Sequence, residues 1–129
     1  MPINPVPRVL CVDHDEDSRE MLSTLLMFER IEAAAVATAA QALSLIQAER
    51  FDLCLLESRL PGLDGFQLCR RMRAWDPRTP ILFYSGSGYD ADKKRGIAAG
   101  ANAYVIKPDV DGLLGSITQF VSPGESAAA

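Results

Sequence analysis

Five short apolar runs, separated by segments whose apolar residues recur at helical spacing, restrict the fold of this chain more than any other feature. The runs are Arg8–Val12, Ile31–Ala37, Phe51–Leu56, Ile81–Tyr84 and Ala103–Ile106. Runs this short and this apolar suit strands buried on both faces, although the alanines of the second give it the weakest β-preference. Between the first two, Met21, Leu22, Leu25, Leu26 and Phe28 mark one helix over Ser18–Glu29. Thr38 followed by Gln41 has the form of a capping box and opens a second helix running to Glu49. Phe66, Leu68, Cys69, Met72 and Trp75 mark a third, which Asp76-Pro77 ends. A short polar helix from Asp90 to Ala99 stops at Gly100, and Leu113–Val121 forms the last.

Strict alternation of strand and helix predicts an α/β fold: a doubly wound, five-stranded parallel sheet of flavodoxin-like order 2-1-3-4-5, with helices on both faces. The length of 129 residues suits one domain. The expected division is a leader over 1–7, the domain over 8–121 and a disordered tail over 122–129. A net charge of −4 argues against binding nucleic acid by neutralising phosphates. The basic runs Arg70, Arg71, Arg73 and Lys93, Lys94, Arg95 read as solvated helix faces. No run of about 18 apolar residues is present to span a membrane, and no signal-peptide pattern opens the chain. Cys11, Cys54 and Cys69 lack CxxC or metal spacing and read as reduced, buried thiols, which suits a cytoplasmic protein.

Sheets of this kind carry their sites at the carboxyl ends of the strands. Asp13, His14 and Asp15 follow the first strand, Glu57 the third, Ser85 and Gly86 the fourth, and Lys107 the fifth. Carboxylates gathered in this way repel one another unless a cation stands among them. A hard ion such as Mg²⁺ takes one or two carboxylates, a carbonyl and waters. A lysine and a hydroxyl beside it can hold phosphoryl oxygens, and the small Gly86 leaves room for them. The set reads as an anion-plus-metal pocket; the alternative is a group of solvated strand-end residues.

From Val9 to about Val121 the sequence resembles a response-regulator receiver domain. The resemblance rests on Val12-Asp13-His14-Asp15, on Phe51 to Glu57 with Leu60-Pro61-Gly62-Leu63-Asp64-Gly65, on Ser85-Gly86, and on Gly100 to Pro108, all in order and at family spacing. It implies a signalling domain, not an enzyme of metabolism, on which a sensor histidine kinase or phosphotransfer protein places a phosphoryl group with Mg²⁺. It assigns Asp13 to the acidic pair, Glu57 to the acceptor position, the Arg59 carbonyl to the metal, and Lys107 to the phosphoryl pocket. Ser85 and Tyr104 become the switch hydroxyl and switch aromatic.

Two departures qualify this. Glutamate stands where the family has its acceptor aspartate, and the extra methylene moves the carboxylate outward by roughly 1.5 Å. Phosphoryl transfer depends on positioning, so such a shift costs on the order of a hundredfold. The displaced carboxylate falls instead within reach of Lys107 and Ser85, and Glu57 partly mimics a phosphoryl group. His14 replaces the second acidic residue, and imidazole is a poor partner for Mg²⁺. Metal binding through Asp13 and Glu57 is therefore expected to be weak or absent; a softer metal on His14, Asp13 and Glu57 is an alternative. Arg59 is a candidate partner for Glu57, or else a solvated loop arginine.

The favoured reading is a pseudo-receiver in a phosphorelay, acting by phosphorylation-independent binding to a kinase, a phosphotransfer protein or a downstream effector, with a homodimer left open. A second reading keeps a working Mg²⁺-dependent phosphoacceptor, with Glu57 or Ser58 modified. A third, a small flavodoxin-like enzyme or nucleotide binder, lacks a Gly-rich phosphate loop after the first strand.

Overall fold

The apolar runs pair with one another because each, once dehydrated, must satisfy its backbone N–H and C=O groups in a ladder. The computed structural model describes residues 5–124. Its elements are β1 (Arg8–Val12), α1 (Glu16–Phe28), β2 (Glu32–Val36), α2 (Ala39–Ala48), β3 (Leu53–Leu56), α3 (Gly65–Trp75), β4 (Ile81–Ser85), α4 (Asp90–Ala98), β5 (Ala103–Ile106) and α5 (Val110–Phe120). The five strands form one sheet in the order β2-β1-β3-β4-β5, every pair parallel, as the alternation predicted.

The two-residue period of each strand sorts its side chains onto opposite faces. Leu10, Val12, Cys54, Leu56, Ile81 and Phe83 pack beneath α2 and α3, against Ala42, Phe66, Leu68 and Met72. Val9, Cys11, Leu53, Leu55, Leu82 and Tyr84 pack beneath α1 and α5, against Leu22, Leu26, Leu113 and Ile117. The alanine-rich β2 forms as the half-buried edge, in register with β1 from Arg8↔Glu32 to Val12↔Val36. The three thiols are free and buried, and burial pushes Cys11 and Cys54 up to about 12, so they are unreactive at neutral pH.

Several expectations change. Met21, Phe28 and Trp75, read as inward helix positions, are 39%, 77% and 63% exposed. α5 begins three residues before Leu113, at Val110, because the Asp109 carboxylate caps it by accepting the Gly112 N–H at 2.8 Å. Arg73 is no solvated arginine: its guanidinium donates to the Gly100, Asp76 and Thr79 carbonyls and to Asn102 Oδ1. Its aliphatic stem lies where a Cβ on Gly100 (φ +114°) would be 2.4 Å away, so that turn requires glycine. Arg95 lies over the Phe66 ring at 4.1 Å. Of the expected tail, 125–129 lies outside the described residues, and the buried Gly124 donates its N–H to the Arg30 carbonyl at 3.0 Å. Of the expected leader, 1–4 lies outside them too.

Candidate functional site

One residue past the ends of β1, β3 and β5, the parallel ladder continues by a single bond. Asp13 N–H donates to Val36 O (3.0 Å), Glu57 N–H to Val12 O (2.9 Å) and Lys107 N–H to Ser85 O (2.9 Å). These bonds fix the backbones from which the Asp13, Glu57 and Lys107 side chains converge. The connection after Glu57 then turns back on itself, with Gly65 N–H bonded to Ser58 O at 2.9 Å. A Cβ at Gly65 would stand 2.1 Å from the Glu57 carbonyl oxygen, so only glycine lets α3 start this close to the site.

Lys107 Nζ sits between two buried carboxylates, 2.6 Å from Asp13 Oδ2 and 2.9 Å from Glu57 Oε2. The other Glu57 oxygen, Oε1, accepts from Ser58 N (2.9 Å), Ser58 Oγ (3.2 Å) and Arg59 N (3.4 Å), and by a short bond from Ser85 Oγ. The Ser58 and Ser85 hydroxyls also meet at 2.7 Å. From Ser85 the bonding continues outward: Ser87 N–H donates to Ser85 Oγ at 3.1 Å, and the Tyr104 hydroxyl donates to Ser87 O at 2.6 Å. Tyr104 in turn stacks on Phe83, ring centroids 5.4 Å apart.

Burial by itself pushes Glu57 up, but the bonds from Lys107 and Ser85 outweigh it and hold the carboxyl below its usual range. For Lys107, burial acts to lower the pKa, and the bonds to Asp13 and Glu57 reverse that, so the ammonium is held above its ordinary value. The two groups fix each other's charge.

Of the residues singled out from sequence, Asp13, Glu57, Ser85 and Lys107 form one bonded cluster, and Tyr104 joins it through Ser87. Gly86 leaves the mouth open, with no atom within 4 Å of where its Cβ would be. His14 is exposed, and its carbonyl is held by the Arg19 guanidinium at 2.9 Å. Asp15 Oδ2 caps α1 at Ser18 N (3.0 Å), and the Ser18 bonds hold its carboxyl below the usual range. Arg59 does not pair with Glu57 through its guanidinium: it is exposed and touches that carboxylate through its N–H. Ser58, read only as a residue open to modification, is 2% exposed and is instead a second hydroxyl on Glu57. Its place beside a strand-end carboxylate was the available signal, but a serine one residue further on reads equally well as a loop hydroxyl.

The donor set offers Mg²⁺ two carboxylates, each already bonded to Lys107, and an exposed imidazole, a poor ligand for that ion. Asp13 Oδ1 accepts from Asp15 N (2.9 Å), so all four oxygens of Asp13 and Glu57 already face donors, with an ammonium at the centre. Among the described residues, no group of three or more His, Cys, Asp or Glu is placed to hold an ion. Lys107 Nζ, the cation at the centre, is engaged by both carboxylates.

Comparison with known proteins bears on this arrangement. Residues 9–118 match the family model described as response regulator receiver domain. The chain is 35% identical over 103 residues to the transcriptional regulatory protein AfsQ1 of Streptomyces coelicolor, covering 80% of this chain and 45% of that protein. It is 38% identical over 101 residues to the DNA-binding response regulator MtrA of Mycolicibacterium smegmatis, covering 78% and 44%. The chain therefore spans about half the length of these curated relatives. Among solved structures, the Vibrio cholerae chemotaxis protein CheY4 superposes with TM-score 0.85 at 28% identity, over 91% of this chain and all (100%) of that one. A response regulator from Chloroflexus aurantiacus gives 0.85 at 31%, over 90% and 98%.

Proposed function

The chain belongs to the response regulator receiver domain family, a family of two-component signalling domains, and from that premise we propose that it signals by protein binding without being phosphorylated. One observation carries this reading. The lysine and hydroxyl that the family resemblance assigns to an incoming phosphoryl group are bonded to the chain's own Glu57 carboxylate. Glu57 thus acts as a resident, imperfect occupant of the phosphoryl pocket, with one negative charge against nearly two for a phosphate. The same bonds tie Ser85 inward and, through Ser87, reach Tyr104. On this reading the partner is a protein, either a kinase, a phosphotransfer protein or an effector. The DNA-binding named for the mycobacterial relative belongs to a protein of more than twice the matched length.

Calorimetric titration with Mg²⁺ and beryllofluoride, a phosphoryl mimic, tests the reading. The wild-type chain is expected to give no heat of binding, and Glu57→Asp with His14→Asp to restore metal-dependent binding. Metal-dependent binding by the wild type would overturn it and make the chain a working phosphoacceptor. Calorimetry suits this better than tryptophan fluorescence, because Trp75 lies at the far end of α3 from the site.

A further inference from the structure

At the opposite end of the sheet, where β3 and β4 begin, lies a second concavity of about 510 Å³. Its floor is apolar and closed: Phe51, Cys54, Met72 and Ile81 are each 6% exposed or less. Trp75, the only tryptophan of the chain, stands at its edge with 63% of its surface in solvent. A volume of a few hundred cubic ångströms is the size of a small-molecule site, and the apolar surface open to a guest is chiefly that of Trp75.

The rim gives the guest its charge. Three guanidinium groups (Arg50, Arg73, Arg78) and two carboxylates (Asp52, Asp76) line it. Both carboxylates are engaged in holding the chain. Asp52 Oδ2 accepts the Arg8 N–H at 2.8 Å, and Asp76 Oδ1 accepts the Arg78 and Thr79 N–H groups at 2.8 and 3.2 Å. Arg73 is engaged likewise, by the carbonyls and the amide described above. That leaves Arg50 and Arg78, both exposed, with no ion-pair partner among the described residues. The rim thus carries three cations against two carboxylates, an excess of one positive charge in a chain of net charge −4. A guanidinium offers a planar fork of donors suited to a carboxylate, sulfonate or phosphate.

We propose that this groove binds a small amphipathic anion, its apolar body against Trp75 and its acidic head between Arg50 and Arg78. The site is independent of Glu57 and stands or falls apart from the reading given above. Octanoate is a suitable probe because it does not absorb with tryptophan, and Trp75 fluorescence then reports from the site itself. Octanoate titrated into the full chain should change Trp75 emission saturably. 1-Octanol should bind at least tenfold more weakly, and inorganic phosphate alone should leave the emission unchanged. Arg50→Ala with Arg78→Ala should weaken octanoate at least tenfold while the thermal midpoint holds, since neither side chain supports the fold. No saturable response to octanoate would overturn the proposal. So would octanol binding as tightly as octanoate to the wild type, a comparison that does not depend on any variant folding.

Discussion

Lys107 faces an accounting problem that a single ammonium rarely solves. It balances two carboxylates whose residues are 3% and 9% exposed, and its own side chain is 22% exposed. Removing it leaves two like charges on largely buried carboxylates, the arrangement in which breaking a buried pair costs most. Lys107→Ala is therefore expected to lose about 3 kcal/mol in urea denaturation. Adding Glu57→Gln should recover part of that loss, because the amide removes one of the stranded charges. If the double variant is less stable than Lys107→Ala alone, the carboxylate is not the source of the cost. The polar identities here were legible from sequence, since strand ends announce themselves wherever apolar runs stop. The bonding was not. Which cation meets Glu57, Arg59 or Lys107, depends on side-chain direction across the sheet, and Ser58 gains its role only because Ser85 lies 2.7 Å away from a strand 27 positions on.

Among the elements, α3 is set by a contact that no propensity scale contains. Gly65→Ala would put a methyl against the backbone of Glu57 and Ser58, which cannot retreat without opening the site. A loss of about 2 kcal/mol is expected, measured by thermal or urea unfolding. Gly115→Ala on α5 is the counterpart. Nothing lies within 4 Å of its Cβ position, so the same change there should stabilise the chain by about 0.5–1 kcal/mol. Those glycines also explain what the sequence hid. Gly112 and Gly115 break the apolar rhythm of the last helix, so periodicity alone starts it at Leu113 although Asp109 caps it at Val110. Phe28 and Trp75 misled in the opposite way. Both fit a helical period, but they lie at the last positions of α1 and α3, where a side chain has run past the sheet it would cover. Strand order and helix sides were legible, because alternation and right-handed crossovers leave few arrangements to choose among.

For the molecule as a whole, the Glu57–Lys107 pair ties stability to pH at both extremes. Glu57 is held below its ordinary value of 4.5, so the stability it contributes is present above that pH and lost as pH falls through its depressed pKa. Lys107 is held above its ordinary 10.5, so its contribution is present below that pH and lost as pH rises through its raised pKa. The urea midpoint should accordingly be level between these limits and fall beyond each. Following it by far-ultraviolet circular dichroism, the Glu57→Gln, Lys107→Met variant should show both falls reduced. An unchanged profile would show that other groups set the acid and alkaline limits. The strand order carries a further consequence for the way such a chain is made. β1 is flanked by β2 on one side and β3 on the other, and β4 and β5 are then added outward on the β3 side. During synthesis from the N-terminus, every strand after the first emerges to find its neighbour already present. The sheet can thus grow in the direction of translation, with each helix covering a face before the next edge is laid down.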